Sequence, residues 1–122
     1  MSKPVGPYSP VLRAGDFVIL SGQLGLADGA IVEGGVDAQT RQIFRNAEGL
    51  LGAGGASMTD VVKCTVFLAT MDDFATMNAA YSECFAGHRP TRSTVGNVTM
   101  ALGATVEIEF WAFTGAAGIT TP

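Results

Sequence analysis

The segment Thr105 to Phe113, TVEIEFWAF, constrains the fold of this chain more than any other stretch. In a strand successive side chains point to opposite faces, so residues i and i+2 share one. Val106, Ile108, Phe110 and Ala112 then form one face, while Thr105, Glu107, Glu109, Trp111 and Phe113 form the other. A strand bulky on both sides calls for cover on both sides. The remainder of the chain supplies two helical segments, enough for one face of a sheet. The other face would leave Trp111 and Phe113 in water, and a large exposed apolar patch usually marks an interface. A homo-oligomer follows as an expectation.

The two helical segments are separated by strands. Asp16 to Leu24 is a short apolar run bounded by glycines, with the preceding PVLRAG placed to pair with it as a hairpin, and Asp28-Gly29 marks a turn. From Asp37, a reasonable N-cap, Ile43, Phe44, Ala47, Leu50 and Leu51 recur at helical spacing until the glycines of Gly52 to Gly55. Those glycines follow a helix, whereas a phosphate-binding loop precedes one, so they read as a helix stop. Val61 to Ala69 alternates, with Val62, Cys64, Val66 and Leu68 on its core face. Phe74, Met77, Tyr81 and Phe85 form the stripe of a second helix, led by Asp72 and Asp73 and flanked by Asn78. TRSTVGNV and ATVEIEFWAF read as two final strands about a turn at Ala101 to Gly103. The order predicts one α+β domain over residues 1–122, a mixed sheet with two helices packed on one face.

Charge narrows the partners. The chain of 122 residues has net charge −4, with seven Lys and Arg and no basic run, so it lacks the electrostatic footprint of a nucleic-acid binder. No apolar run approaches the ~20 residues that cross a bilayer, and the N-terminus has no secretory pattern. A soluble, cytoplasmic protein with no membrane partner is expected. Cys64 and Cys84 sit at apolar-face positions, without metal-ligand spacing, and read as small buried hydrophobes. His88 reads as helix-end surface, and no metal is expected.

Two elements carry chemistry. Arg92 shares a strand face with Thr94 and Gly96, and would meet Glu107 at an edge or cleft if the last two strands are neighbours. A guanidinium grips a carboxylate through two parallel hydrogen bonds, and a glutamate beside it can activate water. Two glutamates roughly 7 Å apart repel, and partial burial would raise at least one pKa. A structural Arg–Glu ion pair accounts for the same residues, and spacing alone favours it by about two to one, because structural pairs outnumber catalytic ones.

VGPYSP, ILSGQL, VEGGVDAQTRQIFRNAEGLL, DVVKCTVFLATMDDFATMNAAY, RPTRSTV and GATVEIEFWAF, in that order and spacing, resemble the Rid family of reactive intermediate deaminases, also called YjgF. The resemblance implies a chorismate-mutase-like fold, a homotrimer with clefts at subunit interfaces, and hydrolysis of small 2-imino and 2-enamino acids to 2-oxo acids and ammonia without cofactor or metal. By motif it implies that Arg92 holds the substrate carboxylate and Glu107 the attacking water. Tyr8, Ser21, Gly22 and Asn78 would line the cleft. Thr94 stands where several enzymatic relatives have a cysteine, Met100-Ala101 where Leu-Pro is usual, and Gly25 follows Leu24 where an apolar residue and proline are common. A pathway-specific enamine deaminase and a non-catalytic, ligand-binding or regulatory trimer are the alternatives within the family. An RNase activity, also attached to parts of it, fits the acidic chain least.

Overall fold

A computed structural model of the chain describes residues 6–122. The strands are β1 (Val11–Ala14), β2 (Phe17–Leu24), β3 (Leu26–Ala27), β4 (Ala30–Ile31), β5 (Val61–Leu68), β6 (Thr91–Val95) and β7 (Val106–Phe113). The helices are α1 (Gly35–Ala53) and α2 (Phe74–Phe85), the latter preceded by a 3-10 turn, Met71–Asp73. Five strands form one sheet in the order β1-β2-β7-β5-β6, and β3 and β4 pair separately as a small hairpin. β5 and β6 run parallel, joined by α2, and the other neighbours of the main sheet are antiparallel. This is a mixed α+β sheet with both helices on one side.

The final strand does not lie beside the one before it. β7 inserts between β2 and β5, and β6 is left at the edge. A β-α-β crossover makes β6 the parallel neighbour of β5, which leaves β5's other edge free for β7. The central position explains why Val106, Ile108, Phe110 and Ala112 are all fully buried.

The helices cover that face with the residues their spacing selects. Ile43, Phe44, Ala47, Leu50 and Leu51 of α1 and Met77, Tyr81 and Phe85 of α2 are buried in one core with Val18, Leu20, Val66 and Phe110. Phe44 joins the layers, with ring centroids 4.9 Å from Phe85, 5.4 Å from Phe110 and 5.6 Å from Tyr81, all edge to face. Three local expectations shift. α1 starts two residues before Asp37, with Gly34 at φ 115 as its cap, and Asp37 instead lies in the first turn and pairs with Arg41 at 3.2 Å. In β5 a register shift between Val61 and Lys63 puts Val61 in the core and leaves Val62 half-buried, because a bulge sets two residues against one. His88 is half-buried, with Nε2 2.6 Å from the Val61 carbonyl oxygen, tying the end of α2 to the start of β5.

The opposite face is open at the end bearing Phe17 and Trp111, while toward its other end Phe67 packs with buried Leu24, Met100 and Ala104. Phe17 and Trp111 are each 38% exposed there, their centroids 6.2 Å apart, and Phe17 lies 5.2 Å from Phe113. Phe113 is half-buried under this contact and a packing against Gly115. Lys63 Nζ stands over the Trp111 ring at 5.9 Å. Among the described residues no helix is long and apolar enough to cross a membrane.

Candidate functional site

The residues singled out from sequence fall into two groups on opposite sides of the sheet. The first surrounds Glu107. Its row across the sheet runs through Phe67 of β5 to Val95 of β6, so all three point to the open face. Upstream, Gln39 of α1 is buried and its Oε1 accepts a hydrogen bond from Thr105 N at 2.9 Å, fixing β7 just before Glu107. On the neighbouring strand the register jumps between Leu20, opposite Phe110, and Gln23, opposite Ile108. Ser21 and Gly22 therefore bulge together opposite Glu109.

That bulge is what admits the carboxylate. A Cβ on Gly22 would overlap Glu107 Oε2 and stand 2.8 Å from its Cδ, so a side chain there and the present glutamate rotamer exclude each other. Ser21 secures the other side of the bulge. Its Oγ donates to the Ser9 carbonyl at 2.7 Å, and its N–H to the Pro10 carbonyl at 3.1 Å. Both bonds hold the segment carrying Tyr8, itself 45% exposed, against β2. Burial, and after it the Glu109 charge, raise the Glu107 carboxyl above its ordinary 4.5.

The second group lies at the β6 edge, on the helix side. Arg92 is the register partner of buried Cys64, so it points toward α2 and away from Glu107. Its guanidinium carbon sits 4.8 Å from the Tyr81 ring centre and 5.7 Å from that of Phe74. Stacking on two aromatic faces holds the planar fork without neutralising it. Among the described residues the ion pairs are those of Arg41 with Asp37 and Glu83, so Arg92 has no carboxylate partner there. Asn78 Oδ1 is buried without a hydrogen-bond partner, one helical turn from Tyr81. Tyr81 Oη lies beside Cys64 and Arg92 but in no well-aligned hydrogen bond with either, and burial pushes its phenol well above the usual range. Burial likewise pushes the Cys64 thiol up to about 12, which keeps it an inert neutral group.

Within one chain, then, Arg92 and Glu107 do not meet, and they form no structural ion pair either. The sheet itself separates them: they have opposite parity across it, and β5 stands between their strands. Tyr81 and Phe74 were assigned to the core stripe by their helical spacing. Their second role, as the bed of Arg92, depends on which strand α2 crosses. A separate cleft of ≈ 310 Å³ between the helices, lined by Arg41, Arg45, Met58 and Cys84 among others, includes none of the residues of either group. Among the described residues, no three His, Cys, Asp or Glu side chains converge.

Residues 1–114 match the family described as Endoribonuclease L-PSP. A RutC family protein of Pyrococcus horikoshii is 41% identical over 91% of this chain and 90% of its own length. A mouse protein named 2-iminobutanoate/2-iminopropanoate deaminase is 38% identical over 91% of this chain and 84% of its own. The crystal structure of Escherichia coli TdcF with bound serine superposes with a TM-score of 0.86 at 33% identity, over 92% of this chain and 91% of that one. Other relatives bear mitochondrial or chloroplastic names.

Proposed function

The chain belongs to the Rid/YjgF/L-PSP family, and from that membership we propose that it hydrolyses reactive 2-imino and 2-enamino acids to 2-oxo acids and ammonia, at a site shared between neighbouring copies. The observation that carries the reading is the split of the two groups across one sheet. An arginine stacked on aromatics, without a counter-ion among the described residues, suits a ligand carboxylate. A half-buried glutamate with a raised pKa suits a water and its proton. Neither half suffices alone.

A cyclic assembly completes the site. Packing the open face of one copy against the β6 edge of the next would set Glu107, Tyr8, Ser21 and Gly22 of one beside Arg92 and Asn78 of the other. Contacts of this head-to-tail kind close into rings, and a homotrimer is the ring we propose. The exposed Phe17 and Trp111 support it, since they need cover of this extent.

The reaction asks little more of the protein. Arg92 holds the carboxylate so that the C=N carbon faces the water on Glu107. Water adds to that carbon of the protonated imine while Glu107 takes one of its protons, and the C=N π electrons pass to nitrogen to give a neutral carbinolamine. Glu107 returns its proton to the amine, the hydroxyl proton passes to solvent as the C–N bond breaks and C=O forms, and ammonia leaves behind the 2-oxo acid. Holding both partners in one geometry supplies much of the acceleration, because an imine is already electrophilic. The mouse relative's name supports this substrate class, and the serine of the TdcF structure a small amino-acid-like ligand. The cytoplasm is the compartment this reading assumes. An RNA substrate finds no support in a chain of net charge −4.

The test is a competition. 2-Iminopropanoate and 2-iminobutanoate are generated enzymatically with semicarbazide as trap, and semicarbazone formation is followed with wild type, Arg92→Ala and no protein. Wild type should suppress the trapped product, and Arg92→Ala should lose about 10- to 100-fold in kcat/KM, the worth of a charged hydrogen-bonded anchor. Equal suppression by both would remove Arg92 from the site. Ligand binding without suppression would leave the non-catalytic reading.

A further inference from the structure

An imine anchored at Arg92 has to direct its side chain somewhere, and the seam where α2 packs along β6 has two unlike ends. Because β5 and β6 are parallel with α2 as their crossover, α2 runs back along β6. Tyr81 and Asn78 accordingly lie toward Arg92, and the start of the helix lies toward Gly96. The first end is polar, with the guanidinium and the unpartnered Asn78 Oδ1. The second is apolar, and it begins beside the anchor, since the Phe74 ring centre is 5.7 Å from the guanidinium carbon.

Met71 lies at that apolar end. A Cβ on Gly96 would overlap Met71 Cγ and stand 2.6 Å from its Sδ, so the thioether lies in the space a residue-96 side chain would fill. Its backbone is fixed: Thr70 Oγ1 accepts from Asp72 N at 3.1 Å, and the Thr70 carbonyl from Asp73 N at 3.2 Å. Its side chain is 45% exposed. A rigidly mounted, unbranched, polarisable side chain at a rim makes an adjustable apolar wall. On the reading of Arg92 as carboxylate anchor, on which this inference rests, we propose that Met71, seated over Gly96, is the specificity-determining residue that limits the length of the aliphatic side chain a 2-imino acid can carry.

The experiment varies chain length at fixed head group. Imines of alanine, norvaline and norleucine are generated with semicarbazide present, and kcat/KM is taken for each with wild type, Met71→Ala, Met71→Leu and Arg92→Ala. Removing the thioether should raise the norleucine-to-alanine ratio about tenfold, since one methylene of fit in an apolar pocket is worth that much. Met71→Leu should restore a ratio near wild type, and Arg92→Ala should lower all three substrates together. A ratio equal in Met71→Ala and wild type overturns the subsite. Affinities for the corresponding 2-oxo acids, measured by calorimetry on the same variants, provide a second readout. If wild type hydrolyses no imine, the deaminase reading fails, and a chain-length profile of oxo-acid affinity unmoved by Met71→Ala then overturns the subsite as well.

Discussion

Glu107 and Glu109 stand two residues apart on one strand, each within reach of the other's charge. Burial is the larger cause of the raised Glu107 carboxyl, and repulsion from Glu109 the second. A general base must be ionised to work, so activity should fall as pH drops through the raised value, above 4.5. Glu109→Gln removes a negative neighbour, which makes ionisation of Glu107 easier and lowers its pKa. The acid limb of a kcat/KM against pH profile should therefore move to lower pH in that variant, with activity retained. Glu107→Gln should instead cost about 10²- to 10⁴-fold in kcat at all pH values. An acid limb left in place by Glu109→Gln would mean that another group titrates there. TVEIEFWAF carries both glutamates in plain view, and strand alternation puts them on one face. Alternation does not choose between them as the base; the family motif points to Glu107, and the Ser21–Gly22 bulge that makes room for its carboxylate supports that choice.

At the scale of elements, that bulge is the feature periodicity could not reveal. Ser21 and Gly22 look like ordinary strand residues in FVILSGQL, and only the pairing with β7 shows two of them opposite one. Gly22→Ala tests the consequence. Its methyl would enter the volume of the Glu107 carboxylate, so the glutamate must rotate or the bulge must shift. Overpacking of this kind costs ~1–3 kcal/mol, read as a lower denaturation midpoint at unchanged m. Turnover should fall with it if Glu107 holds the attacking water as proposed, because its carboxylate is displaced. Activity and stability both unchanged would show that Glu107 does not need the position it occupies. Element types and buried stripes were legible because hydrophobic period depends on neighbours along the chain. Strand order was not, since nothing local in RPTRSTV or TVEIEFWAF states that β7 inserts between β2 and β5. Strand order also decides that Tyr81 and Phe74 bed Arg92, and the β5 bulge, equally non-local, puts Val61 rather than Val62 on the core face.

Arg92 and Glu107, proposed as two halves of one site, lie on opposite faces of the sheet, so one chain alone cannot complete that site. Bulky residues on both sides of TVEIEFWAF already implied a covered second face, and Phe17 and Trp111 now stand exposed on it. If that cover is the next copy in a ring, each site takes Arg92 from one subunit and Glu107 from its neighbour. Two impaired variants can then repair each other. In a ring mixed at random from equal amounts of Arg92→Ala and Glu107→Gln, a site is intact when its arginine comes from the second variant and its glutamate from the first. Each has probability one half, so about one quarter of sites are intact, whatever the size of the ring. Unfolding and refolding the two together should recover about that fraction of wild-type activity, whereas mixing them without subunit exchange should leave only their residual activities. No recovery from mixed rings that are demonstrably formed would place both residues of each site in one subunit, against the separation seen across the sheet. The same mixture made in a Trp111→Asp background, which sets a buried charge in the proposed contact, should sediment as monomer and recover nothing.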